Sequence, residues 1–409
     1  MSSPYAALKI RDFRLFISAR FCVTLAIQIQ AVVVGWQVYE ITKDPLSLGL
    51  IGLAEAVPSI VVSLYAGHLA DVIQRKQIII VTLATLLFCS VTLLFFTTDP
   101  GSFILENGVL PIYAIIFMSG IARGFITPAL FSFMPQLVPR ELYQNAISWN
   151  STLWETASIG GPPIGGLIYG FFGITAAYSI DAALMLLGLI LALTVANKPL
   201  PEVTEELGIA DKIKAGLQFV FQNKIILSAI SLDLFAVLFG GAVALLPIFA
   251  DQILDVGKIG LGFLRSAPGI GAVLTALYLT YNPIRKKMGN ILLYSVAGFG
   301  LCMIFFAISR NFWLSMSLLA VSGAFDCVSV IVRGTLLQTL TPENMKGRVS
   351  AVNNIFIGSS NEIGAFESGV TARLMGVVRS VIVGGALTLI VVGVTAWKAP
   401  SLRKLEKVN

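Results

Sequence analysis

Twelve times along its 409 residues the chain runs through a long, almost wholly apolar stretch, and short polar or Pro/Gly-rich segments separate one run from the next. A helix needs about 20 such residues to cross the hydrocarbon core of a bilayer. The runs therefore predict spanning helices at 15–39, 46–70, 77–97, 110–133, 143–171, 174–196, 224–250, 258–281, 289–309, 312–339, 346–374 and 377–397. They are continuously apolar rather than alternating with a period of two, which excludes a closed β-barrel. Only 12% of residues are charged and the mean hydropathy is +0.86, against roughly a quarter charged in a soluble domain. The expected fold is all-α and integral to the membrane, with twelve transmembrane helices in two pseudo-symmetric six-helix halves.

Lys and Arg set the expected orientation. With the N-terminus in the cytoplasm, the inner segments carry Arg11, Arg14, Arg75, Lys76, Arg140, Lys286, Lys287, Arg403 and most other basic residues. The outer ones hold Lys43, Lys258, Arg310, Arg373 and Arg379. Both termini are therefore expected inside, and the net charge of +6 reports topology rather than nucleic-acid binding. The polar first dozen residues lack a signal-peptide cleavage pattern, so the first apolar run is expected to remain as a span. Cys22, Cys89, Cys302 and Cys327 all fall within predicted spans without ligand spacing and read as small apolar core residues, with no disulfide framework. His68 is the sole histidine, and no metal site is expected.

Residues 197–223 are the one long connection, and they divide the chain into halves at 1–196 and 224–409. Within this connection Ile209, Ile213, Leu217 and Phe221 recur every four residues, the pattern of an amphipathic helix lying on a membrane surface. Arg123-Gly124 with Pro139 is echoed by Arg333-Gly334 with Pro342. Internal repeats of this kind place a cargo site between two rocking halves at the bilayer midplane.

Three motifs carry a family resemblance. Gly67-His68-Leu69-Ala70-Asp71-Val72-Ile73-Gln74-Arg75-Lys76 resembles the loop between the second and third helices of the major facilitator superfamily. Arg123-Gly124 resembles its fourth-helix basic motif. Gly160-Gly161-Pro162-Pro163-Ile164-Gly165-Gly166 resembles the fifth-helix element of exporters and drug/proton antiporters. Phe13-Arg14-Leu15-Phe16 and the run from Leu337 to Val349 are similar to the branch that contains enterobactin exporters and macrolide efflux proteins. The resemblance implies the major facilitator fold and a gating latch of Gly67, Asp71, Arg75 and Lys76. It also implies structural roles for Arg20, Arg123, Gly161, Pro162, Gly165 and Gly166. The second-half counterpart of the latch, Asn282 to Lys287, lacks the aspartate.

Charges inside the spans are where transport chemistry is expected, because a central charge costs about 2.5–3.5 kcal/mol on insertion scales. Glu155, Asp326 and Glu362 fall near the middles of the fifth, tenth and eleventh spans and are the leading proton-coupling candidates, with Asp233 beside them. Seven residues separate Asp326 from Arg333, which puts both on one helix face and suggests a local ion pair. Asp181 falls close to an outer end and is expected among lipid headgroups. Gln30, Trp36, Glu55, Trp154, Arg333 and Asn354 are the cargo-cavity candidates, chosen as polar or aromatic groups within spans.

No Gly-x-x-x-x-Gly-Lys-Ser/Thr phosphate loop occurs, so an ion gradient rather than ATP is the expected energy source. The expected activity is not enzymatic and needs no cofactor. It is alternating-access, proton-coupled export of a siderophore or a hydrophobic drug-like compound across a bacterial cytoplasmic membrane. The expected partners are small-molecule cargo, protons and lipids, with no nucleic acid, and a monomer is expected. The alternatives are lipid or lysophospholipid flipping and, in another class, a non-transporting receptor or scaffold.

Overall fold

A computed structural model describes residues 5–98, 107–198, 209–284, 286–342, 345–403 and 405. Lipid offers no hydrogen bonds to the backbone, so each apolar run closes its own as a helix. The helices are α1 (Arg11–Thr42), α2 (Pro45–Val72), α3 (Arg75–Thr98), α4 (Leu110–Phe133), α5 (Tyr143–Thr194), α6 (Ile209–Gln222), α7 (Lys224–Gly240), α8 (Gly257–Tyr281), α9 (Met288–Ile308), α10 (Phe312–Leu340), α11 (Lys346–Met375) and α12 (Val377–Lys398). Polar residues at their starts do local work. Asn223 Oδ1 accepts from the Ile225 and Ile226 amides to cap α7, and Asn311 Oδ1 accepts from the Leu314 amide to cap α10.

Ten segments among the described residues are long and apolar enough to cross a membrane. One of these includes α5, whose 52 residues run to about 78 Å at 1.5 Å per residue, enough for two crossings. It turns at Gly173, where φ is +85° and ψ is 176°, a conformation open in practice only to glycine. The arms on either side are 143–172 and 174–194. α11 and α12 meet at Gly376 with φ +88° and ψ 151°. Positions 173 and 376 are 203 apart, the same offset that separates Pro139 from Pro342, so the repeat extends to backbone geometry. α11 is the most polar of the crossings and completes the twelve.

The described chain forms two compact units, and each borrows a helix start from the opposite end of the sequence. Unit 1 comprises 1–43, 54–205 and 257–266, and unit 2 comprises 44–53, 206–256 and 267–409. Unit 1 packs around Phe13, Ile17, Ala26, Leu83, Leu86, Ile126, Phe133 and Met185. Unit 2 packs around Leu232, Ala236, Leu292, Val296, Val332 and Leu336. Away from these cores the surface stays apolar. Val81, Phe88 and Phe95 form an exposed stripe along α3, and Leu301, Phe305 and Ile308 another on α9, as suits helices bathed in lipid.

Two expectations change. The seventh span is not one continuous helix: the apolar segment runs from Lys224 to Ile253, but Gly240-Gly241 breaks the α-helix, and Val243–Leu245 and Phe249–Ile253 continue as 3-10 and π turns. Ser368 Oγ of α11 donates to the freed Gly241 carbonyl at 2.9 Å. On α6, Val220 is fully buried against Ile226, Ile230, Val349 and Val352, with Leu217 beside it, whereas Phe221 is 59% exposed. The side chains of 209–213 lie outside the described residues.

Candidate functional site

The charged centre of unit 1 is built where α4 meets α2. A side chain at Gly120 would lie 2.3 Å from the Glu55 carbonyl, and one at Gly124 2.8 Å from the Ser59 carbonyl. Only glycine lets these backbones approach so closely. The approach brings Glu55 of α2 onto the Arg123 guanidinium as an ion pair, both groups about one-quarter exposed or less. The Arg-Gly dipeptide thus has a division of labour, in which the glycine sets the distance that the arginine spans. Gly334, its counterpart in unit 2, has open space around it.

Arg123 also lines a cavity of ≈ 190 Å³ inside unit 1, walled by Phe16, Arg20, Thr24, Lys76, Leu83, Phe133 and Trp154 among others. Arg20 Nη1 is held by Asn150 Oδ1 at 2.6 Å, and Lys76 Nζ donates to the Leu193 carbonyl at 2.9 Å. Neither contact is with a carboxylate, so their positive charges remain uncompensated by these partners. Among the described residues, three cations, three aromatic rings and no carboxylate line this space. Such a wall suits a flat ring bearing acidic oxygens, through charge-assisted hydrogen bonds and cation–π contact.

Behind that cavity lies a second polar group, which sequence placed elsewhere. Asp181, on the second arm of α5, is not among headgroups: it is fully buried. Its Oδ2 accepts from Gln30 Nε2 of α1 at 3.2 Å, and the same amide nitrogen lies 3.4 Å from Ser90 Oγ of α3. Among the described residues its Oδ1 has no hydrogen-bond partner, nor has the Nε of Arg123. One turn earlier Tyr178 donates to Gln37 Oε1 at 2.6 Å. Gln30, a cargo-cavity candidate by sequence, is 3% exposed and spent on this network.

In unit 2 Arg333 takes its carboxylate from a neighbouring helix. Asp233 of α7 is its ion-pair partner, in place of the expected Asp326. A separation of seven residues is about 10.5 Å along a helix axis, so a shared face is not a contact. Asp326 borders a small cavity with Asp233, Ser295, Phe325 and Ser329. Glu362 of α11 packs beside the start of α2, where a side chain at Gly52 would lie 3.0 Å from its Oε2. Glu155 is half-buried and follows the cavity-lining Trp154. Trp36 is 5% exposed and lies outside the cavity wall.

The glycine motif of α5 works as a double packing surface. Gly161 and Gly165 meet Gln28 and Ile29 of α1, while Gly166 meets the Lys258 carbonyl and Gly262 at the start of α8. Gly262 in turn sits under the Pro162 carbonyl at 2.5 Å from where its side chain would begin. Beside this seam the Lys258 ammonium lies 4.1 Å from the centre of the Tyr169 ring and 6.0 Å from that of Trp36. It is 3.8 Å from the Glu40 carboxylate, to which Tyr169 donates at 3.0 Å. Of the expected latch, Arg75 Nη1 donates to the Ser132 carbonyl at 2.8 Å, so with Lys76 it holds helix ends within unit 1. The side chains of Gly67, Asp71 and Asn354 lie outside the described residues.

The sequence model of the transmembrane secretion effector family matches residues 2–409. The chain is 26% identical over 93% of its length to the enterobactin exporter EntS of Shigella dysenteriae serotype 1 (strain Sd197), covering 90% of that relative. It is 26% identical, with the same coverage, to the EntS of Salmonella choleraesuis (strain SC-B67). Among solved structures, a POT family transporter in complex with 5-aminolevulinic acid matches with a TM-score of 0.75 at 11% identity, over 96% of this chain and 97% of that one. A D-xylose-proton symporter matches with a TM-score of 0.71 at 15% identity, over 94% and 97%. These likenesses show the fold.

Proposed function

The chain belongs to the transmembrane secretion effector family of the major facilitator superfamily, and from that membership we propose that it exports a metal-free siderophore by proton antiport. The observation that carries the reading is the unit 1 cavity, with Arg20, Lys76 and Arg123 set among Phe16, Phe133 and Trp154 and no carboxylate among the described residues of its wall. At ≈ 190 Å³ it is smaller than the roughly 300–1,000 Å³ of sites that enclose a drug-sized ligand. It accommodates one acidic aromatic arm of a larger cargo. The similarity to enterobactin exporters over 93% of the chain supports the same cargo class. A cationic drug would meet the like charges of Arg20 and Lys76, whose partners here are neutral, so drug efflux is the weaker reading.

The excess of Lys and Arg in alternate segments supports a bacterial cytoplasmic membrane location with both termini inside. With that orientation the Arg20–Lys76 cavity faces the cytoplasmic side and the Lys258–Glu40 cluster the outer side. Alternating access then requires the Gly166–Gly262 seam to part as the cargo leaves. A proton entering the cell through about 150 mV releases roughly 3.5 kcal/mol, sufficient for a concentration ratio of a few hundred for neutral cargo. Glu155, Asp326, Glu362 and Asp233 are the acids that sequence puts forward for the exchange.

The same cavity lining also suits the headgroup end of an acidic lipid, which makes lipid flipping the second reading. Metabolite profiling separates them. Under iron limitation a deletion strain retains siderophore inside and secretes less than the complemented strain. Normal secretion accompanied by altered leaflet distribution of acidic lipid rejects the siderophore and favours the lipid.

A further inference from the structure

Of the acids that could carry the exchanged proton, one is more completely enclosed than any that sequence put forward. Asp181 is fully buried, whereas Glu155, Asp326 and Glu362 each keep some exposure and Asp233 is already committed to Arg333. A lone carboxylate cut off from water is costly unless it is paired or fully hydrogen-bonded. Here the described residues provide neutral donors on one side only, and Oδ1 has no partner.

The surroundings can be enumerated helix by helix. α1 presents Gln30, while Gln37 is taken by Tyr178 from the acid's own helix. α3 presents Ser90 and Cys89. α4 contributes Arg123, the charged group among the described residues that bears on Asp181, without a direct contact, and Glu55 of α2 holds that arginine. One guanidinium, paired with Glu55, is thus the positive charge set against two carboxylates. In a low-dielectric interior this set approaches neutrality with one proton bound, and without it one carboxylate is left uncompensated.

We propose that Asp181 is a proton-binding site of the transport cycle, loaded while Arg123 is held by Glu55 and emptied when the free Nε side of Arg123 turns to it. Asp181 is not in the cavity wall, so proton and cargo occupy separate places. Arg123, which lines the cavity and acts on Asp181, is the physical link between them. The proposal rests on the proton-coupled reading above and names its acid.

Infrared difference spectroscopy of the purified full-length protein tests the site without any cargo. The wild type, titrated with acid and base, shows a protonated-carboxyl band that Asp181→Asn removes and Asp181→Glu retains at an altered frequency. Gln30→Leu, which deletes the donor on Oδ2, displaces that titration even if Asp181→Asn does not fold. In vesicles, Asp181→Asn loses at least tenfold of the flux driven by a pH gradient and keeps downhill efflux of preloaded siderophore. A carboxyl band unchanged by Asp181→Asn, or by Gln30→Leu, overturns the assignment. So does full gradient-driven flux in Asp181→Asn when the wild type is gradient-driven. A wild type indifferent to the gradient overturns the antiport reading itself, and the role of Asp181 in transport with it.

Discussion

Arg333 of α10 and Asp233 of α7 form an ion pair almost closed from solvent, the two residues being 3% and 6% exposed. Removing one partner leaves a buried charge uncompensated, at about 3–5 kcal/mol. Asp233→Asn and Arg333→Gln are each expected to lower stability by that order in detergent unfolding experiments. The double substitution, which strands no charge, is expected to cost clearly less than the two single effects summed. Additive losses would show that the pair does not act as a unit.

The two glycine turns make a cleaner backbone test. Gly173 and Gly376 have positive φ, and neither has any atom within 4 Å of where a side chain would start. The penalty for Gly173→Ala or Gly376→Ala is therefore conformational alone, about 1–3 kcal/mol. Unfolding midpoints would measure it. Loss-free alanines would mean that the turns relax to an ordinary conformation.

Glycines of α5 and of the start of α8 should respond in opposite directions. Gly160 faces open space, and Gly160→Ala is expected to stabilise by about 0.5–1 kcal/mol through helix propensity. Gly262→Ala collides with the Pro162 carbonyl and is expected to disfavour the packed seam between α5 and the start of α8. Labelling of single cysteines placed along that seam would rise in Gly262→Ala and stay unchanged in Gly160→Ala.

The Lys258 cluster is expected to reinforce the same seam. Replacing Lys258 by Met keeps the stem and removes the charge from Tyr169, Trp36 and Glu40. Cation–π contact and a partly exposed ion pair are each worth about 0.5–1 kcal/mol. Together they correspond to a roughly five- to thirtyfold rise in labelling of the seam. Unaltered labelling would mean that the cluster contributes no closing force.

Sequence gave the spans because hydropathy along a helix needs no knowledge of its neighbours, and the Asn223 and Asn311 caps were equally local. The break in α7 was also written locally, in Gly240-Gly241, but the apolar run continues through it and hid the stop. The site was harder. Which way a helix is rotated decides whether Asp181 meets lipid headgroups or Gln30, and residues that apolar on both sides carry no clear face. The seven-residue spacing of Asp326 and Arg333 was a true periodicity with the wrong consequence, since the nearer acid came from another helix. Arg20, Arg123 and Trp154 stood out one by one as chemical groups within spans, but only the folded α1, α4 and α5 show that one cavity wall contains all three.

The cavity carries the functional reading, and Arg20 is its simplest probe because its hydrogen-bond partner is the neutral Asn150. Loss of a charge-assisted hydrogen bond is worth about 1.5–3 kcal/mol, so Arg20→Gln is expected to raise the KM for siderophore roughly tenfold or more. Arg20→Lys should recover part of that loss. Unchanged KM in Arg20→Gln would remove this residue from the cargo site.

The central claim is tested most directly by concentrative transport of a metal-free catecholate siderophore into inside-out vesicles containing the purified protein. With the lumen made acidic, the account predicts accumulation well above the external concentration and its collapse on adding a protonophore. Absence of accumulation, or accumulation that persists without the proton gradient, would contradict it.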